Sequence, residues 1–181
     1  MTIDYRIEYS ALHNRGEKAF SGLSVMPWKA DIERLVFETR PARILDYGCG
    51  KGAQYKDDAL NNRWPRNIDL VLYDIGVWKF RNKPQGVFQG IICTDVLEHV
   101  AEDDVSEVLR EIFSYADNEK ESFVFFSICC RLAKKSFSNG VNLHLTVRPP
   151  GWWMERIDAL KPEGVRLLCK FTGDGRPDRK D

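Results

Sequence analysis

"RILDYGCGKGAQY", residues 43–55, decides how this chain is read. A short apolar run, Ile44 and Leu45, leads into Asp46 and then into glycines at 48, 50 and 52. Three spaced glycines cost conformational entropy that a plain strand-to-helix turn does not require. So bare a backbone at the end of a strand predicts a ligand lying close against the main chain. Gly48, Gly50 and Ala53 also satisfy the G-x-G-x-x-G/A dinucleotide pattern, in which a pyrophosphate rests on a helix N-terminus. Asp46 argues against that ligand. A carboxylate at the strand end is a poor neighbour for a pyrophosphate and suits a cationic amino group, met directly or through water.

Outward from this stretch, the pattern is one of alternating strands and helices. "LVLYD" (70–74), "FQGIICTD" (88–95) and "SFVFFSI" (122–128) are near-continuous apolar runs, as strands buried on both faces of a parallel sheet should be. Upstream, "WKADIERLVFET" places Ile32, Leu35, Val36 and Trp28 on one helical face. "EDDVSEVLREIFSYA" carries Val105, Val108, Leu109 and Ile112 at helical spacing behind an acidic first turn. A further helix is predicted from Pro149–Pro150 through "WWMERIDAL", followed by "VRLLCKF" as a last strand. The fold class predicted is α/β: a three-layer, doubly wound, mostly parallel sheet that binds its ligand outside the carboxyl ends of the strands.

The 181 residues suit one domain, read as an arm or lid over 1–26, a main domain over 27–172 and a disordered tail over 173–181. Twenty-seven basic and 27 acidic residues balance, which weakens any general electrostatic grip on nucleic acid or an anionic membrane. Five cysteines without a C-x-x-C pair fit free thiols in a reducing compartment. With no signal peptide and no membrane-length apolar run, the expected location is the cytoplasm.

"LDYGCGKG" resembles motif I (D/E-x-G-x-G-x-G) of the class I S-adenosylmethionine-dependent methyltransferases. Asp74, closing "LVLYD", is similar to that family's acidic residue after the second strand, which binds the ribose hydroxyls. "IICTDVLEHV" resembles its fourth-strand motif, and the likeness spans roughly residues 30–170. The resemblance implies S-adenosyl-L-methionine as cofactor, held by Asp46, Gly48, Gly50, Gly52, Asp74 and Asp95, with Val96 beside Asp95 and Ile75 as an apolar wall near the adenine. One departure stands out. Only thirteen residues separate Asp74 from "FQGIICTD", too few for the helix and strand that the family usually fits there, so the region between strands two and four is expected to be shortened.

Asp95, Glu98 and His99 sit at i, i+3 and i+4, and His144 follows the next strand. Three roles compete for them. They cap a turn and line the cofactor site; or His99 or His144 acts as a general base; or the set binds a divalent metal, as the resemblance to E-x-x-E-H…H metal-assisted O-methyltransferases implies. Arg131, Lys134, Lys135 and Arg148 are read as a solvated face or an anion pocket, and one of Trp152 and Trp153 as core or as facing an acceptor. Tyr5, Tyr9, His13 and Phe20 belong either to a lid or to a loose arm. The expected activity is methyl transfer to a small-molecule acceptor, with oxygen slightly preferred over nitrogen. The alternatives are a metal-assisted RNA 2′-O-methyltransferase, a non-catalytic S-adenosylmethionine-binding regulator, and a nicotinamide-dependent oxidoreductase.

Overall fold

The computed structural model describes residues 21–56 and 60–174. The lid residues Tyr5, Tyr9, His13 and Phe20, and all but two residues of the 173–181 tail, lie outside that range. Among the described residues, five strands form one sheet: β1 (Arg43–Tyr47), β2 (Asp69–Tyr73), β3 (Gly90–Thr94), β4 (Ser122–Cys129) and β5 (Val165–Thr172). Their order is β2-β1-β3-β4-β5 and every pairing is parallel. The chain leaves β1 in one direction to make β2 and returns past it to make β3. The order therefore reverses between β1 and β3, the place where open α/β sheets bind their ligands.

Strand alternation feeds two cores. Ile44, Ile92, Phe123 and Phe125 pack on one face with Ile32, Leu35 and Val36 of α1 (Lys29–Thr39). Leu45, Ile91, Cys93, Val124 and Phe126 pack on the other with α2 (Val105–Ser114) and α3 (Pro150–Leu160). Helix α1 ends on Arg40, held left-handed at φ 46° ahead of Pro41. Helix α3 opens on Pro150, whose fixed φ suits a first turn. Trp153 and Ile157 are its buried residues, while Trp152 stacks at 3.5 Å on the guanidinium of Arg156.

Two connections lack a full helix. After the glycines, among the described residues, a single 3-10 turn forms, Ala53–Tyr55, and Leu60 and Trp64 supply the buried apolar side chains. Between β2 and β3 there is one 3-10 turn, Trp78–Phe80, and no strand. The shortening expected there is thus complete, and among the described residues β2 is an edge of the sheet. Among the described residues, no helix is long and apolar enough to cross a membrane.

Candidate active site

A cavity of about 700 Å³ opens at the carboxyl ends of β1, β2 and β3, within the range of small-molecule sites. Its floor is the glycine loop. The amides of Gly48 and Cys49 both donate to Tyr73 O, at 2.8 and 3.1 Å, which draws the loop onto the end of β2. Gly48 has φ 85°, and a Cβ there would stand 2.2 Å from Val96 Cγ2, so the β1 and β3 ends meet only because this residue is glycine. The Gly50 amide donates to Asp74 Oδ2 at 2.8 Å and the Gly76 amide to Asp74 Oδ1 at 2.9 Å.

Of the residues singled out in the sequence, Gly48, Gly50, Asp74, Ile75, Asp95, Val96 and His99 line this cavity. Asp46, Gly52 and His144 are not among the residues that line it. Asp46 is buried behind the loop, where its Oδ2 accepts hydrogen bonds from Gln54 Nε2 (2.7 Å) and the Tyr55 hydroxyl (2.9 Å). Burial pushes its pKa up to about 6 against the pull of those two bonds. Gly52 faces Leu72 and Phe80 under the loop. The end of the arm also takes part: residues 21–24 line the cavity, the Ala53 amide donates to Ser21 O, and a Cβ on Gly22 would meet Cys49 O at 2.4 Å.

Asp95 closes β3 in the left-handed region, at φ 52°. Strain of that kind gathers at functional sites. The residue is tied to β4, its amide donating to Ser127 O and its Oδ1 accepting the Ser127 hydroxyl at 3.0 Å. A 3-10 turn, Leu97–His99, follows in place of a longer helix. It sends Glu98 and His99 to different surroundings. Glu98 is buried, and its Oε1 accepts the Cys129 amide at 2.9 Å. His99 lines the cavity and donates from Nδ1 to Leu143 O at 2.9 Å, which makes Nε2 its basic nitrogen. Burial, with His144 adding, lowers its pKa to about 4, so the ring is neutral at ordinary pH. The His144 ring stands edge-on to it, centroids 4.9 Å apart. Burial alone would lower the His144 pKa, yet its contacts with Cys129 and Arg131 O raise it. Burial likewise opposes ionisation of Cys129, but hydrogen bonding with His144 and Thr172 brings its thiol down to about 7.

Among the described residues, the donor atoms close enough to share a metal ion are those of Glu98, Cys129 and His144, a grouping that takes Glu98 and His144 from the set expected and not Asp95 or His99. Cys129 is a residue that sequence reasoning passed over. So are Tyr47 and Tyr73, whose rings meet at 5.0 Å in the cavity wall. The far wall is acidic, with Asp104, Glu107 and Glu111 against a single lining cation among the described residues, Lys83, itself 3.0 Å from Glu111. Arg148 pairs instead with Glu102, and neither Trp152 nor Trp153 reaches the cavity.

These features, a glycine loop drawn onto an acidic strand end at the point where strand order reverses, have a counterpart among known families. A family model described as a methyltransferase domain matches residues 25–174. The chain belongs to that family. It is a class I, S-adenosylmethionine-dependent methyltransferase, and its all-parallel sheet is an α/β fold consistent with that class. No curated protein and no solved structure matches it. The methyltransferase thus pairs a dinucleotide-like glycine pattern with, among the described residues, a single 3-10 turn where a pyrophosphate-binding helix would stand.

Proposed function

We propose that this methyltransferase acts on a small-molecule hydroxyl acceptor. S-adenosylmethionine, when bound, supplies a methyl group on a positively charged sulfur. The residues present fit that group: Asp74 lines the cavity as a hydrogen-bond acceptor suited to a pair of hydroxyls, Ile75 beside it offers an apolar surface, and Asp95 adds negative charge. The observation that carries the acceptor reading is His99. It lines the same cavity in the tautomer whose Nε2 can accept a proton, and its low pKa keeps that nitrogen unprotonated at neutral pH. His144 stands behind His99 and is read as a positioning residue. Most of the acceleration would come from holding the two reactants in line within a confined site.

An amine acceptor is the second reading, favoured by the acidic wall of Asp104, Glu107 and Glu111. That wall disfavours an acceptor bearing phosphates, and with it an RNA 2′-hydroxyl. Calorimetric titration with S-adenosylhomocysteine tests the site. Wild type should bind it and not NAD⁺. Asp74→Ala should bind about tenfold or more weaker, since hydrogen bonds to charged groups contribute about 1.5–3 kcal/mol. Unchanged affinity in a folded Asp74→Ala protein would remove Asp74 from the site. Offering hydroxyl and amine acceptors side by side then decides between the two readings.

A further inference from the structure

Beside the cavity, three potential ligands from separate segments meet in a cluster to which methyl transfer as described above assigns no role beyond the positioning by His144. Glu98 comes from the turn after β3, Cys129 from the last position of β4, and His144 from the loop that leads to α3. One donor atom from each lies within 4.8 Å of the others. We propose that Glu98, Cys129 and His144 form a binding site for a thiophilic divalent cation of the zinc type.

Four observations support it. The donor set is sulfur, imidazole and carboxylate, which selects zinc-like ions over magnesium or calcium. Glu98 is fully buried, and its Oε2 has no hydrogen-bond partner among the described residues although Oε1 is satisfied. A buried carboxylate oxygen left in that state is costly unless a cation or donor completes it. The His144 Nδ1–H donates to Arg131 O, which fixes the ring and leaves Nε2 as the donor nitrogen, the arrangement usual for metal-bound histidines. Finally, Glu98 and Cys129 are buried while His144 is half-exposed, so the cluster has an entrance on the His144 side.

A carboxylate and a thiolate would together neutralise a dication. Binding releases to solvent whatever protons the thiol and the carboxyl carry. Three protein ligands leave one tetrahedral position for water. The ion would bridge β3, β4 and the 131–148 loop. It would thus clamp the loop whose Leu143 carbonyl orients His99.

Cobalt(II), spectroscopically visible where zinc is silent, is the probe. Titrated into metal-free protein, it should produce thiolate-to-cobalt charge-transfer absorption saturating at one equivalent. Zinc should erase the band and excess magnesium should not. Cys129→Ser should abolish it, while Cys169→Ser and Cys130→Ser keep it. His144→Ala, at a half-exposed position and so a safeguard should Cys129→Ser fail to fold, should weaken cobalt binding about tenfold or more, the scale on which even outer-shell partners act. Absence of the band in folded wild type, its survival in Cys129→Ser, or unchanged affinity in His144→Ala would each overturn the site. None of these readouts depends on methyl transfer.

Discussion

At the scale of single residues, Gly48 decides whether the site can form. Its left-handed backbone and the 2.2 Å approach of Val96 Cγ2 leave no room for a side chain. Gly48→Ala should therefore destabilise the protein by about 1–3 kcal/mol, the usual cost of overpacking, with backbone strain added. Trimming the partner separates the two contributions. In chemical denaturation, Gly48→Ala with Val96→Ala should recover the steric part and leave the strain, a positive coupling by double-mutant cycle. Additive losses would mean that Val96 is not what confines the loop. His99 and Asp95 follow the same logic. Each is fixed by one backbone partner on a neighbouring segment, Leu143 O for the ring and Ser127 O for the Asp95 amide.

At the scale of elements, β3 threads the middle of the sheet. Gly90 pairs with both Ile44 and Phe123, and a Cβ there would meet the Phe123 ring at 2.7 Å and Ile44 Cγ1 at 2.9 Å. Gly90→Ala should cost about 1–3 kcal/mol of stability, seen as a lower denaturation midpoint at unchanged slope. A neutral result would mean that the Phe123 ring can swing clear. The strands were legible in the sequence as short apolar runs, those of β1, β3 and β4 buried on both faces and those of β2 and β5 largely half-buried, and α1, α2 and α3 because their buried positions recur at helical spacing. The missing strand after β2 was legible too, as a segment too short to hold it. The lack of a full helix after the glycines, among the described residues, was not, since Leu60 and Trp64 anchor that connection without a period. In the site, motif positions pointed to the right loops but not to the direction of each side chain. Asp46 turns behind the glycines because Gln54 and Tyr55, one 3-10 turn later, capture it. Glu98 turns into the β3–β4 seam because Cys129 offers it an amide. Cys129 carried only a weak signal: a cysteine ending β4, level with the D-V-L-E-H turn.

At the scale of the whole molecule, buried charge shapes the response to pH. The Asp46 pKa rises from 3.8 to about 6 on folding. The native state thus holds this proton more tightly than the unfolded chain does. The resulting stability is fully present below about pH 4 and is lost as pH rises through about 6. Asp46→Asn removes that dependence. Relative to wild type, the variant should gain on the order of 3 kcal/mol between pH 4 and pH 7, at 1.36 kcal/mol per pKa unit. Denaturation at the two pH values checks it, and parallel curves would show that the carboxyl ionises as freely in the folded protein as outside it. Binding has a global side as well. Among the described residues β2 has one neighbour, β1, and Asp74 extends from its carboxyl end. A strand hydrogen-bonded on one side opens more readily than the β3–β4 centre. A molecule that engages Asp74 must therefore quiet the rim of the sheet as it binds, and part of its affinity goes into order rather than into contact.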